Sequence, residues 1–315
     1  MNNLKSKIQN PKLLLWRNYR FWRIAGQFIS VFLVAVVIII LWGNLNRNLQ
    51  QLGIQFGFDF LQQQASFDIG ETPIAYKPTD AYSRALWVGL INSLRVAIVG
   101  IFFATIVGLS AGIGRLSDNW LVRNIAQVYV EIFRNTPLLL QLLFWYFAVF
   151  LGFFKVENKI SVWGLISFSQ NGIELPWFTL SPEFSTLLLG LIFYTGAFIA
   201  EIVRGGIQSV AKGQWEAARS LGLKPGLVMR LVVFPQALRV IIPPLTSQYL
   251  NLTKNTSLAI AIGYPDIYFV ASTTFNQTGR AVEVMLLIML TYLTLSLTIS
   301  IMMNLLNRMV QIQER

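Results

Sequence analysis

Residues 31–42 read VFLVAVVIIILW, twelve apolar residues in succession. The run reaches back to Ile24 with only Gln27 and Ser30 as polar interruptions, so residues 24–42 are apolar around the whole circumference of a helix. Such a helix belongs in a core or in lipid, and about 20 such residues cross the hydrocarbon of a bilayer. Outward from it lie five more stretches of comparable length, at residues 90–113, 125–151, 184–203, 240–262 and 281–306. The composition agrees: of 315 residues, 55% are hydrophobic and 12% charged, about half the charge of an ordinary soluble domain. The expected fold is all-α and integral to the membrane. It consists of a tail at 1–23, an anchor helix at 24–42, an external loop at 43–84, a transmembrane domain at 85–308 with an internal loop at 205–239, and a short tail at 309–315.

The same composition removes whole classes of chemistry. With no cysteine there is neither a disulfide framework nor a thiolate nucleophile. With no histidine, the commonest general base and metal ligand is missing, so no Ser-His-Asp triad or zinc site is expected. No catalytic and no metal-binding residues are assigned. High hydrophobicity excludes disorder.

The net charge of +11 would suggest nucleic acid in a soluble protein, so its placement decides. Sixteen Lys and Arg fall at the N-terminus (Lys5 to Arg23), between spans two and three (Arg115, Arg123), around the loop from Arg204 to Arg239, and at the C-terminus. Six fall in the alternate loops: Arg47, Lys77, Arg84, Lys155, Lys159 and Arg280. The basic residues follow the alternation of the spans instead of gathering on one surface. That pattern places both termini in the cytoplasm and argues against nucleic acid. The first span is too long for a signal-peptide core and lacks a small-residue cleavage site after it, so it reads as a retained anchor.

Two external segments are expected. Residues 44–84 are polar, with short helices, and residues 81–90 read as an interfacial stretch before span two turns inward. Residues 152–183, with Trp163, Trp177 and two prolines, read as an interfacial cap. Either could meet a soluble partner or simply cover the bundle.

The internal loop is the most informative stretch: residues 212–239 read KGQWEAARSLGLKPGLVMRLVVFPQALR. Residues 214–221 predict a short helix, with Glu216 near its positive end and Arg219 one turn on. Ala217 and Ala218 keep it thin, Gly222 is placed to close it in the left-handed conformation, and Pro225 opens a second helix. Leu227, Leu231 and Phe234 repeat at helical spacing before Pro235 kinks the chain. Such a helix is either a knob for a cytoplasmic socket or an amphipathic segment lying on the headgroups.

Glu216-Ala217-Ala218, Gly222 and Val232-x-Phe234-Pro235 resemble the EAA loop of ABC-importer permease subunits, with Val232 and Phe234 as conservative departures from its usual Ile-x-Leu-Pro ending. Glu131–Leu138, Ala200–Gly206, Pro235–Arg239 and Lys254–Leu258 resemble the polar-amino-acid branch, and the long first loop with Ile262-Gly-Tyr-Pro-Asp266 is similar to the general L-amino-acid permeases. The resemblance spans about Phe56 to Arg308. It implies that Glu216, Ala217, Ala218, Gly222 and Pro235 couple this chain to an ATPase. It also implies a bacterial inner-membrane location, a pathway shared with a second permease chain, two ATP-binding subunits, and a periplasmic amino-acid-binding protein. No GxxxxGK[ST] loop is present, so ATP and Mg would be bound by the partner ATPase and no cofactor by this chain.

Ionisable residues within spans are costly and face a cavity or a partner. Lys254, with Asn255, Thr256 and Ser257, lies in a polar run at 251–257 of an otherwise apolar span and is the leading substrate-binding candidate: Lys254 for a carboxylate, or else for backbone carbonyls at a chain-chain interface, and the others as weaker partners. Related subunits often carry aspartate at the place of Asn255, which implies that a different chain supplies the acid and that the pair is a heterodimer. Arg95 either meets a substrate carboxylate or snorkels outward. Glu131 with Arg134, and Glu201 with Arg204, are expected to pair at i, i+3. The main rival function is an ion-coupled secondary transporter, but the inverted repeats it needs are not visible. A bare membrane anchor is disfavoured by the polar run on span five.

Overall fold

The computed structural model describes residues 19–51, 56–154, 159–162 and 165–310. Most of the expected N-terminal tail, the last residues of the C-terminal tail, Lys155 and Trp163 lie outside the described residues. The chain divides into two units, residues 1–58 and 59–315.

Among its described residues the first unit has one helix, α1 (Tyr19–Gln51), whose apolar window has no buried residue. Val31, Phe32, Ile39 and Leu41 are more than half exposed. In water that surface would be strongly unfavourable; in lipid it is matched. The helix runs past Trp42, so residues 43–51 belong to it and not to a loop.

The second unit begins with a 3-10 turn (Asp59–Gln62) and an irregular segment leading to α2 (Tyr82–Gly114). Residues 81–90 do not form a separate interfacial stretch: all but Ala81, the N-cap, are the first turns of an unbroken 33-residue helix. Helix α3 (Trp120–Asn135) follows, then α4 (Leu138–Leu143), which widens into a π-helix (Phe144–Phe153). The expected straight third span is therefore broken. The two halves meet at Thr136 and Pro137 with a bend of 106°. Proline cannot donate to the preceding turn and biases the residue before it out of the helical region. Gln141 fixes the break by donating its Nε2 to the carbonyls of Phe133 and Thr136, each at 2.9 Å.

The second external segment is a four-stranded antiparallel meander: β1 (Ile160–Val162), β2 (Ile166–Ser169), β3 (Gly172–Glu174) and β4 (Thr179–Leu180). The sequence predicts an interfacial cap here without assigning it strands. Strands of two to four residues are too short to show a period.

Helix α5 (Pro182–Gln208) is capped by the Ser181 hydroxyl, which accepts from the Phe184 amide. After α6 (Lys212–Ser220) and α7 (Pro225–Val228) comes a π-helical turn (Met229–Val233). Helix α8 (Phe234–Asn255) continues as a 3-10 segment (Thr256–Ile262), and α9 (Ile267–Thr278) and α10 (Ala281–Val310) complete the chain. Among the described residues five helical stretches are long and apolar enough to cross a membrane, and a sixth crossing requires counting the bent α3–α4 pair as one.

The core lies between α2 and α5. Gly100, Ala104, Gly108 and Gly112 make a stripe of small residues every fourth position on α2, all buried. A Cβ on Gly108 would lie 2.5 Å from Ile199. Close backbone approach through small residues is the usual way helices associate where no hydrophobic effect drives them. At the other end of the unit, Asn92 Nδ2 donates to the carbonyls of Glu71 (2.8 Å) and Pro265 (3.0 Å), and Ser93 Oγ accepts from the Ile267 amide. These bonds tie α2 to the entry of α9.

Candidate functional site

Helix α6 starts at Lys212, two residues earlier than expected, so Glu216 sits mid-helix and gains little from the N-terminal dipole. Its C-terminus is closed as the sequence predicted. Gly222 has φ +79°, its amide donates to Arg219 O (2.9 Å), and the Leu223 amide donates to Ala218 O (3.3 Å). This is the paired 5→2 and 6→1 bonding of a Schellman end. One side of α6 is anchored: Ala218 is 4% exposed, and Trp215 and Leu223 pack on the same core. Gln236, on α8, donates to Gln214 Oε1 at 3.4 Å and to Val232 O at 2.9 Å. The other side presents Glu216, Ala217, Arg219, Ser220 and Leu221, the last 81% exposed. Of the two alanines only Ala217 keeps the outer face thin; Ala218 is spent on internal packing. Among the described residues the side chains of Glu216 and Arg219 have neither a hydrogen bond nor an ion pair.

Pro235 stands in the first turn of α8, directly after the π-helical turn. A proline here cannot bond to the Leu231 carbonyl and crowds it, and a widened turn relieves both. That extra residue resets the helical phase. The inward residues become Val228 and Val233, while Leu227 and Leu231 of the predicted stripe face outward.

A polar, half-open cavity of about 250 Å³ lies between α5 and α8, lined by Tyr194, Thr195, Phe198, Gln248, Asn251 and Asn255. Asn251 and Asn255 are the members of the predicted polar run at 251–257 that line it. Lys254 is exposed and lies outside the lining. Thr256 is buried with its hydroxyl donating back to Thr253 O, and Ser257 Oγ donates to Lys254 O. A second crevice, lined by Leu61, Leu86, Trp87, Leu90, Ile267 and Leu287 among others, is largely apolar and offers a zwitterion little.

The charged residues pair differently from the helical rule. Glu201 meets Arg204 as expected, but it also meets Arg115 and lies 3.6 Å from Arg134. Glu131 accepts from Gln127 (2.9 Å) instead of pairing with Arg134. The bend after α3 and the packing of α3 on α5 bring Arg134 to Glu201, and tertiary placement outweighs an i, i+3 pair worth about 0.2–0.5 kcal/mol. Arg95 is neither free nor merely snorkelling: it pairs with Glu71 (3.0 Å) and lies 5.1 Å from the centroid of the Phe184 ring. Glu71 also accepts from Ser181 Oγ (2.8 Å). This network joins the external segment to α2 and α5. Among the described residues no acidic groups gather in a way that could hold a metal ion.

Residues 82–312 match the model of the binding-protein-dependent transport system inner membrane component. The chain belongs to that family. It is 40% identical to the putative amino-acid ABC transporter permease YhdX of Escherichia coli K12, over 92% of this chain and 95% of that one. It is equally identical to the general L-amino acid transport system permease AapQ of Rhizobium johnstonii, over 92% and 94%. Among solved structures, an amino acid ABC transporter described as holding histidines matches with a TM-score of 0.58 at 29% identity, over 72% of this chain and 94% of that one. The MetNI methionine transporter in an inward-facing form matches at 0.56 and 20% identity, over 73% and 97%, which shows the shared fold.

In this inner membrane component Asn251 was marked only as part of the polar run at 251–257, while Gln248 beside it and Tyr194, Thr195 and Phe198 opposite went unmarked. The signal was present: amides at 248, 251 and 255 keep helical spacing along one face of a largely apolar span. Nothing in the sequence marked Arg134 as a neighbour of Glu201, because that contact depends on the break at Pro137.

Proposed function

We propose that this chain is a membrane-spanning permease subunit of an ATP-driven, binding-protein-dependent amino-acid importer of the bacterial inner membrane, with both termini cytoplasmic. A periplasmic binding protein delivers the amino acid, a second permease chain completes the pathway, and two ATP-binding subunits supply the work. Helix α6 is the coupling element within the loop at 205–239, and Glu216, Ala217, Gly222 and Pro235 set its docking surface. ATP and Mg belong to the partner subunits. The observation that carries this is the form of α6: a nine-residue helix anchored on one side by Ala218 and Trp215, closed by Gly222, and presenting an unpaired charged and apolar edge. The names of the 40%-identical relatives support amino acids as the cargo.

The cavity between α5 and α8 is the part of the pathway this chain contributes, with Asn255 reading the solute. Lys254, exposed beside it, faces the position where a second permease chain would close the path.

The test is a reconstituted complex of both permease chains, ATPase and binding protein. Gly222→Asp strains the left-handed position and adds charge to the docking edge. Assembly should persist, while ATP hydrolysis stimulated by loaded binding protein falls by about ten-fold or more, equivalent to about 1.4 kcal/mol. Unaltered uptake by the variant would remove α6 from the coupling path. Solute accumulation by the chain alone, driven by an ion gradient, would favour the secondary-transporter reading.

A further inference from the structure

The Glu201 cluster holds three guanidinium groups and one carboxylate. Glu201 Oε1 accepts from Arg204 and Oε2 from Arg115, so both carboxylate oxygens are engaged at hydrogen-bonding distance. Arg134 is left over. Its Nη1 lies 3.6 Å from Glu201 Oε2, beyond a hydrogen bond, and its side chain is 38% exposed. Among the described residues its side chain makes no hydrogen bond. Its remaining contact is with the Phe198 ring, whose centroid lies 5.3 Å from its guanidinium carbon.

Phe198 is also a wall of the polar cavity. The other lining groups there are amides, hydroxyls and one more aromatic ring, none of them charged: Tyr194, Thr195, Gln248, Asn251 and Asn255. An amino acid entering that space could hydrogen-bond to the amides, but no lining residue would neutralise its carboxylate. Arg134 stands one aromatic ring away with donors unused. Guanidinium is the side chain best matched to a carboxylate, by geometry and by its weak hydration. Its position is built and not accidental. Arg134 ends α3, the chain breaks at Thr136 and Pro137, and Gln141 clamps the last carbonyls of that helix.

We propose that Arg134 is the carboxylate-binding cation of the translocation cavity. It takes the carboxylate of a solute that rests against Phe198, while Arg115 and Arg204 keep Glu201 neutralised. The proposal rests on the amino-acid importer reading above and adds to it the residue that recognises the anionic end of the cargo. It also gives Lys254, which lies outside the lining, a place other than the primary carboxylate partner.

Because the chain has no cysteine, Arg134→Cys places a unique thiol on it. The full complex, with partner cysteines replaced by serine, is assayed in vesicles with a radiolabelled mixture of the common L-amino acids. Uptake should fall about ten-fold. Treatment with aminoethyl methanethiosulfonate, which leaves a cation on the sulfur, should restore a substantial part; the neutral methyl reagent should not. Millimolar amino acids should slow labelling of that thiol several-fold, and should not slow labelling at Trp177→Cys in the exposed meander. Uptake unchanged in Arg134→Cys, equal rescue by both reagents, or protection by anionic lipid but not by amino acids would each overturn the proposal. Failure of the unsubstituted complex to accumulate any label with ATP would instead overturn the importer reading.

Discussion

At the scale of single residues, Asp266 has the most unusual setting outside the spanning segments. It is fully buried, caps α9 by accepting from the Phe269 amide (2.8 Å), and has the Tyr292 hydroxyl at 3.4 Å. Burial pushes its carboxyl up to about 7 from an ordinary 3.8, against the opposing pull of those hydrogen bonds. The sign follows from proton counting. Between about pH 4 and 7 the folded chain holds a proton that the unfolded chain has released, so this group's contribution to stability falls as pH rises through that window and is level above it. Asp266→Asn keeps the capping oxygen and removes the titration. Relative to the unsubstituted chain, its unfolding midpoint in detergent should be raised at pH 8 and raised by less than half as much at pH 5. An equal difference at both pH values would mean that the buried carboxyl is not the source. Arg95 and Arg134 make the complementary point. Each was recognisable as an expensive charge in a span, but its partner, Glu71 or the Glu201 cluster, is distant in sequence and invisible to any local rule.

At the scale of elements, local chemistry was legible wherever it was self-contained. The left-handed close at Gly222, the opening of α7 by Pro225 and the apolar lengths of α1, α5 and α10 all followed from residues within a turn or two of each other. The broken third span was not foreseen: residues 125–151 read as one apolar stretch, although Pro137 stands in its middle. The phase shift before Pro235 was missed because a π-helical turn leaves no mark on spacing. The small strands were missed because two to four residues cannot display alternation. The α2–α5 crossing lay in plain sight as a four-residue repeat of Gly100, Ala104, Gly108 and Gly112, and it carries a direct prediction. Gly108→Ala drives a Cβ to 2.5 Å from Ile199, and overpacking of this kind costs about 1–3 kcal/mol. The unfolding midpoint should drop by several degrees. Gly26→Ala, where a Cβ meets nothing within 4 Å, should be neutral or slightly stabilising through helix propensity. Equal behaviour of the two would mean that the crossing is looser than its geometry.

At the scale of the whole molecule, two surfaces lie where a monomer has no use for them. The outer edge of α6 carries a charge of each sign with no internal partner, and the cavity between α5 and α8 is half open. A coupled importer needs both, one to receive force and one to be completed by a second chain. In the sequence the Glu216-Ala217-Ala218 and Gly222 pattern points to the first, and only the polar run at 251–257 points to the second. Lys254 tests how the second surface is closed. Its side chain points out of this chain's lining, so its contribution should appear only in the assembled pair. Lys254→Ala should change the unfolding midpoint of the isolated chain little, because its side chain is exposed and in no ion pair among the described residues, and such a side chain is worth about 0.5 kcal/mol. In the complete complex the same substitution should weaken association of the two permease chains or raise the solute concentration for half-maximal uptake by about ten-fold. Full assembly and uptake with Lys254→Ala would reject it as a ligand and as an interface residue together. The amides of Gln248, Asn251 and Asn255, with Arg134 behind Phe198, would then be the polar contacts this chain offers its cargo.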